Sequence, residues 1–213
     1  AAMYLGDNFD IHGGGLDLVF PHHENEIAQS KAAGQKFANY WLHNAWVTTA
    51  GEKMSKSLGN SLIVFDVLER IRAIELRWYL VGAHYRSNLE FSDSALTESA
   101  TAFQRIEGFV KRATAIVGDV DLTSAEVNTD FATAMNEDLN VPAALAVLHE
   151  VVGEGNSLLA KKAEASALKG CLTSVRQMLD VLGVDPLSAT WADDSKNAKQ
   201  LESALDYFVQ QSI

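Results

Sequence analysis

The feature that most constrains the fold is a change of hydrophobic period near Asn60. Before that point, apolar residues come in short runs of strand length punctuated by glycine. "NFDIHGGG" reads as a short strand, Phe9 to His12, running into a glycine turn. "NYWLHNAWVTT" alternates apolar and polar residues and is rich in aromatic and β-branched types, so it reads as a strand. Between them, "NEIAQSKAAG" reads as a helix closed by Gly34. Strand–helix–strand at this spacing predicts one βαβ unit of a parallel sheet. Ligands of such sheets gather at the carboxyl ends of the strands, where "HGGGLD" and "GEKMSKS" both fall.

After Asn60 the apolar residues recur at three- and four-residue intervals, the helical period. "SLIVFDVLERI" and "AIELRWYLVGAH" follow it, and so does "FSDSALTESATAFQRIEGFVKRATAIV", which opens with a capping signature at Ser94 or Thr97. "GDVDLTSAEVNTD" is polar and turn-rich and reads as a linker. Two long helices are predicted beyond it, Val141 to Leu159 and Lys161 to Leu182, with a break near Asp185-Pro186. The expected fold class is α/β plus all-α: the end of an α/β domain joined to a helical bundle.

Charge and composition narrow the function classes. No apolar run reaches the roughly 18 residues that a membrane span requires, and no basic-then-apolar signal peptide is present. A soluble intracellular protein is expected. Cys171 is the single cysteine, so neither an intrachain disulfide nor a cysteine-rich zinc module can form. The net charge is −11, with the excess at the end of the chain: residues 113–213 carry 6 basic against 15 acidic side chains. That third is a poor electrostatic match for a phosphate backbone, although a local basic face elsewhere would suffice. The chain begins without an initiator methionine and stops within the amphipathic run "LESALDYFVQQSI", so it reads as a piece of a longer protein.

Three segments carry chemistry. In "HHENE", His22 and Glu26 stand at i and i+4, on one face of a helix, an acceptable pair of zinc ligands that is two short of a full set. A well-capped surface helix is the alternative, with Pro21 at its first position and Glu24 and Glu26 complementing the helix dipole. Three glycines, Gly13, Gly14 and Gly15, separate His12 from the Leu16-Asp17 pair, where the backbone can approach a ligand closely or simply turn. In "GEKMSKSLGN", Lys53 and Lys56 lie in a glycine-flanked loop, and such ammonium groups suit the neutralisation of charge on a reacting phosphate.

"KMSKS" is identical to the signature loop of class I aminoacyl-tRNA synthetases. Together with "FDIHGGGLDLVFPHHENEIAQS", "YWLHNAWV" and "GAHYRSNLEFS", it resembles the cysteinyl-tRNA synthetase family; "MNEDLNVPAALAVL" is similar to that family's helical anticodon-binding region. The resemblance implies the second half of a Rossmann-like catalytic domain followed by a helical bundle. Its implied divisions are a catalytic segment with the loop and following helices (1–91), a connecting helix and linker (92–122) and a partial anticodon-binding domain (123–213). It also implies ATP-dependent activation of L-cysteine and transfer to tRNA(Cys), with ATP and Mg as substrate, in a cytoplasmic monomer with no membrane association. The family's zinc binds the substrate thiolate through two cysteines, a histidine and a glutamate, and the last two fall on His22 and Glu26. A thiolate is a far better zinc ligand than a hydroxyl, which rejects serine. Asp17 is implied to hold the substrate ammonium and His12 to contact the amino acid or adenylate. Gly13, Gly14 and Gly15 are implied to leave room for adenosine, and Lys56, supported by Lys53, to stabilise the α-phosphate.

The departures from the family pattern are its two zinc-binding cysteines and its HIGH motif, neither of which is in this chain. Half a zinc site and half an ATP site predict a segment that is inactive alone. Two rivals remain at this level. One is the actinobacterial cysteine:aminosugar-inositol ligase of mycothiol synthesis, which shares the glycine turn but does not keep "NEIAQ". The other is a non-catalytic helical paralogue that retains motif remnants.

Overall fold

The structure, a computed structural model, describes residues 2–49, 51–53, 64–123 and 125–191. It divides into two compact units, Ala1–Ser61 with Ala83–Ser92, and Leu62–Gly82 with Asp93–Ile213.

In the first unit, a short helix α1 (Ala2–Leu5) precedes strand β1 (Phe9–Gly15). A 3-10 turn (Leu16–Leu18) and a π-helical turn (Val19–His23) lead into α2 (Glu24–Ala32). Gly34 follows with φ +76°, a left-handed value that favours glycine and stops the helix. Strand β2 (Ala38–Asn44) then pairs parallel with β1, in register Ile11↔Tyr40, His12↔Trp41 and Gly14↔His43. This is the expected βαβ unit.

Two sequence expectations change here. The glycines are strand rather than turn: β1 runs through all three, and its hydrogen-bonded register carries Gly15 to Asn44. Pro21 does not open α2, because the π-helical turn intervenes; the residue before it, Phe20, is extended (φ −135°, ψ 136°), as the steric demand of a following proline favours.

The second predicted strand is split in two. β3 (Val47–Thr49) leaves the β1–β2 pair and joins β4 (Glu52–Lys53) and β5 (Leu89–Glu90), in order β4-β3-β5. β3 runs antiparallel to β4 and parallel to β5. Glu90 fastens this small sheet, accepting hydrogen bonds from Thr48 Oγ1 (2.5 Å) and the Gly51 N–H (3.2 Å).

The second unit is helical: α3 (Val64–Leu68), α4 (Ala73–Val81), α5 (Asp93–Val117), α6 (Thr129–Asn136), α7 (Val141–Lys161) and α8 (Ala165–Val181). Its core draws on five of them, with Phe131 of α6 buried beside residues of the other four. Ile74 and Trp78 of α4 meet Phe103, Ile106, Phe109 and Val110 of α5, Leu148 of α7, and Leu172, Val175 and Met178 of α8. A Cβ on Gly155 of α7 would lie 2.4 Å from the Phe109 ring, so this glycine sets the close approach of α5 and α7. Asn128 caps α6 and Asn140 caps α7, each through its side-chain oxygen. Thr97, a candidate cap from the sequence, sits inside α5, where its hydroxyl donates to the Asp93 carbonyl. No helix among the described residues is long and apolar enough to cross a membrane.

Two ion-pair networks lock the helices. Arg72 donates to both Glu75 and Glu107, each at 2.9 Å, tying the start of α4 to α5. Arg176, on α8, is buried against Asp185 at 2.9 Å and also contacts Asp119.

Candidate functional site

The register of β1 and β2 builds the site. Side chains two apart on a strand share a face, so His12 and Gly14 of β1 stand beside Trp41 and His43 of β2 on one side of the sheet. The start of α2 comes over this face. His23 is almost fully buried there, 3% exposed, with its ring centroid 4.9 Å from His12, 5.0 Å from Trp41 and 5.0 Å from His43. Its Nδ1 shares a hydrogen bond with His43 Nε2 at 2.8 Å. A Cβ on Gly14 would lie 2.8 Å from His23 Cε1 and 3.0 Å from its Nε2. Glycine at 14 is therefore what admits the buried imidazole. Burial is the largest influence on His23 and pushes its pKa below the ordinary histidine value, with His12 and His43 adding to it.

Glu26 lies one helical turn after His22 and faces the same cluster. Its Oε1 is 3.5 Å from His22 Nε2, and its Oε2 is 3.0 Å from His12 Nε2. Yet Oε2 is buried and accepts no well-formed hydrogen bond. The donor atoms of His12, His23 and Glu26 all lie within 4.8 Å of one another. Two imidazoles and a carboxylate are a donor set that suits zinc, and the His23–His43 bond resembles the outer contacts that orient metal-binding histidines.

Asp17 projects from the turn directly after β1. Its Oδ1 accepts a hydrogen bond from the Trp46 indole N–H at 3.1 Å, and a Cβ on Gly15 would crowd that oxygen at 2.5 Å. Two of the three glycines thus abut site residues, His23 and Asp17, whereas Gly13 faces Leu42, with its carbonyl at 3.6 Å and its Cβ at 4.0 Å.

The structure brings together His12, His22 and Glu26 of the sequence candidates. Asp17 stands at the carboxyl end of β1. The backbone of Lys53 lies in β4, and Lys56 lies outside the described residues. Sequence reading singled out neither His43 nor Trp46, and within "HHENE" it did not single out His23. A signal for His43 was available: pairing "IHGGG" in parallel with "YWLHN" and applying the two-residue alternation puts it on the face that carries His12.

Residues 1–101 match the family described as tRNA synthetases class I (C) catalytic domain, and residues 130–186 match the DALR domain. The first part of the chain is thus similar to a class I tRNA synthetase catalytic domain, and the helical part that follows is similar to a DALR domain. The chain is similar to proteins that carry the name cysteine–tRNA ligase. It is 56% identical to the one from Nocardioides sp. strain JS614 over 98% of this chain and 44% of the relative. It is 54% identical to the one from Streptomyces avermitilis over 98% of this chain and 45% of the relative. The chain thus spans less than half the length of these relatives. Among solved structures, the fold is similar to a LeuRS of Agrobacterium radiobacter K84 in ternary complex with tRNA and LeuAMS, with TM-score 0.60 and 18% identity over 82% of this chain and 27% of that one. It is also similar to methionyl-tRNA synthetase of Mycobacterium tuberculosis in complex with methionyl-adenylate, with TM-score 0.54 and 16% identity over 91% of this chain and 43% of that one.

Proposed function

We propose that this chain is a segment of a cysteine–tRNA ligase, which activates L-cysteine with ATP and Mg and transfers it to tRNA(Cys). Its first unit then supplies the second half of a Rossmann-like catalytic domain, a reading supported by the parallel β1–α2–β2 unit. The proposed divisions are catalytic residues 1–91, a connecting helix and linker 92–122, and a partial anticodon-binding domain 123–213. The protein is proposed to act as a cytoplasmic monomer.

The observation that carries the chemistry is the convergence of Glu26 with imidazoles on both sides, one carboxylate oxygen being buried without a hydrogen bond. The converging donors are His12, His23 and Glu26; His22, 3.5 Å from the same carboxylate, would hold zinc together with Glu26 beside them. Bound there, zinc supplies a centre that prefers a thiolate to a hydroxyl, so serine is rejected by a polar contact rather than by size. Asp17 would take the substrate ammonium, and His12 the amino acid or its adenylate. Gly13, Gly14 and Gly15 would let adenosine approach the end of β1. Lys56, with Lys53 beside it, would neutralise charge on the α-phosphate as the carboxylate displaces pyrophosphate.

Charging of tRNA(Cys) by the full-length protein that carries this chain tests the reading. Cysteine-dependent ATP–pyrophosphate exchange and cysteinyl-tRNA formation are expected, and Glu26→Gln, which removes a charged ligand, should weaken zinc binding. Failure to charge tRNA, or transfer to an aminosugar instead, would overturn it.

A further inference from the structure

We propose that Trp46 is a positioning residue for the amino-acid pocket: its indole N–H aims the Asp17 carboxylate at the substrate's ammonium group. This rests on the reading of Asp17 given above. The indole nitrogen is a donor only, and it stands 3.1 Å from Asp17 Oδ1. Both residues follow the carboxyl ends of parallel strands, Asp17 after β1 and Trp46 after β2, where ligands of such sheets bind.

The two sides of this contact are held differently. Asp17 sits on a three-residue turn and is exposed, where the direction of a carboxylate is set by the contacts it makes. Trp46 crosses from one sheet to the other and is held along its backbone. Its N–H donates to Asn88 Oδ1 (3.2 Å), its carbonyl accepts from the Leu89 N–H (2.9 Å), and the adjacent Ala45 N–H donates to the Tyr85 carbonyl (2.8 Å). The firmly held indole N–H is therefore one contact that sets the direction of the Asp17 carboxylate. Gly15 serves the same end, because any side chain there would enter the space that Asp17 Oδ1 occupies.

The geometry predicts a selective defect. A carboxylate whose direction is no longer fixed binds the ammonium of cysteine less well, but it has no bearing on ATP or on a ligand that lacks the ammonium. In the full-length ligase, Trp46→Phe keeps an aromatic ring and removes the donor. It should raise KM for L-cysteine about tenfold in ATP–pyrophosphate exchange, the size of one hydrogen bond to a charged group. KM for ATP and the inhibition constant of 3-mercaptopropionate, which is cysteine without its ammonium, should not change. Trp46→His, which keeps a ring N–H, should recover part of the loss.

An unchanged KM for cysteine in Trp46→Phe overturns the proposal. So does equal weakening of cysteine and 3-mercaptopropionate, the mark of a merely structural role. If Trp46→Phe does not fold, replacement of Trp46 by 3-benzothienylalanine removes only the N–H and gives the same readout. Asp17→Asn separates the two readings. An unchanged cysteine KM in that variant removes the ammonium role of Asp17 and the proposal with it. A raised KM there, with Trp46→Phe silent, removes the Trp46 proposal alone.

Discussion

The helical unit buries Phe103, Phe109, Leu148, Leu172 and Val175 to within 1% of complete, whereas the strand-bearing unit buries only His23, Thr48 and Phe91 among its described residues. Two of those three are polar. Meanwhile Met3, Tyr4, Phe20 and Tyr40 of the strand-bearing unit are each more than 65% exposed. Parallel strands ordinarily bury both faces, yet the paired Ile11 and Tyr40 lie open. One unit is held by apolar area removed from water; the other organises imidazoles, a carboxylate and aromatic rings around a site. Within this chain the apolar core is concentrated in the helical unit, and substitutions should read that difference.

The largest contrast is between two phenylalanines. Phe109 is fully buried and Phe20 is 76% exposed. Phe109→Ala should cost about 3–5 kcal/mol, because it removes transfer energy and leaves a cavity. Phe20→Ala should stay within about 0.5 kcal/mol. Urea unfolding followed by far-UV circular dichroism measures both, and equal losses would break the comparison.

A pair of glycines gives the next contrast. Gly155→Ala would push a Cβ into the Phe109 ring, an overpacking cost of about 1–3 kcal/mol read in the same unfolding experiment. Gly14→Ala would push a Cβ into the His23 imidazole instead. Its stability cost should be smaller, about 1 kcal/mol for one displaced hydrogen bond. Its clearer effect is loss of the imidazole N–H signal held between His23 Nδ1 and His43 Nε2, read by NMR. Retention of that signal in Gly14→Ala would show that the glycine is not what admits the ring.

These two units were not equally legible in the sequence. The helices of the second unit were readable because a three-to-four residue period, sustained over the 25 residues of α5, cannot be satisfied by a strand. Even there α6 was missed, since an eight-residue helix opening "TDFATAMN" carries barely two turns of pattern. In the first unit the βαβ order was legible, but the glycine triplet was not. Glycine is permitted in turns and strands alike, and only the partner strand decides. The placement of His23 depends on Gly14 and His43, each distant from it in sequence, so spacing within "HHENE" could not supply it. Trp46–Asp17 is likewise a contact between two loops, for which local pattern has no signal.

The smallest expected effect concerns pH. Burial works to raise the Glu75 carboxyl, but hydrogen bonds from Arg72 and Gln104 outweigh it and hold its pKa below the ordinary 4.5. Glu107 is held low chiefly by its hydrogen bond from Arg72, against burial. Both carboxylates are thus more acidic folded than unfolded. Their contribution is complete above the ordinary value of 4.5, and it is lost as pH falls through their folded values, because the unfolded chain takes up the protons first. The helical unit should therefore weaken in urea between neutral pH and pH below 4.5. Glu107→Gln should cost about 1 kcal/mol at neutral pH and flatten that acid slope, since a side-chain amide does not titrate. An acid slope as steep in Glu107→Gln as in the parent chain would mean that the Arg72 network is not the acid-sensitive link between α4 and α5. The polar contacts of the helical unit would then be no more than a solvated margin around its apolar core.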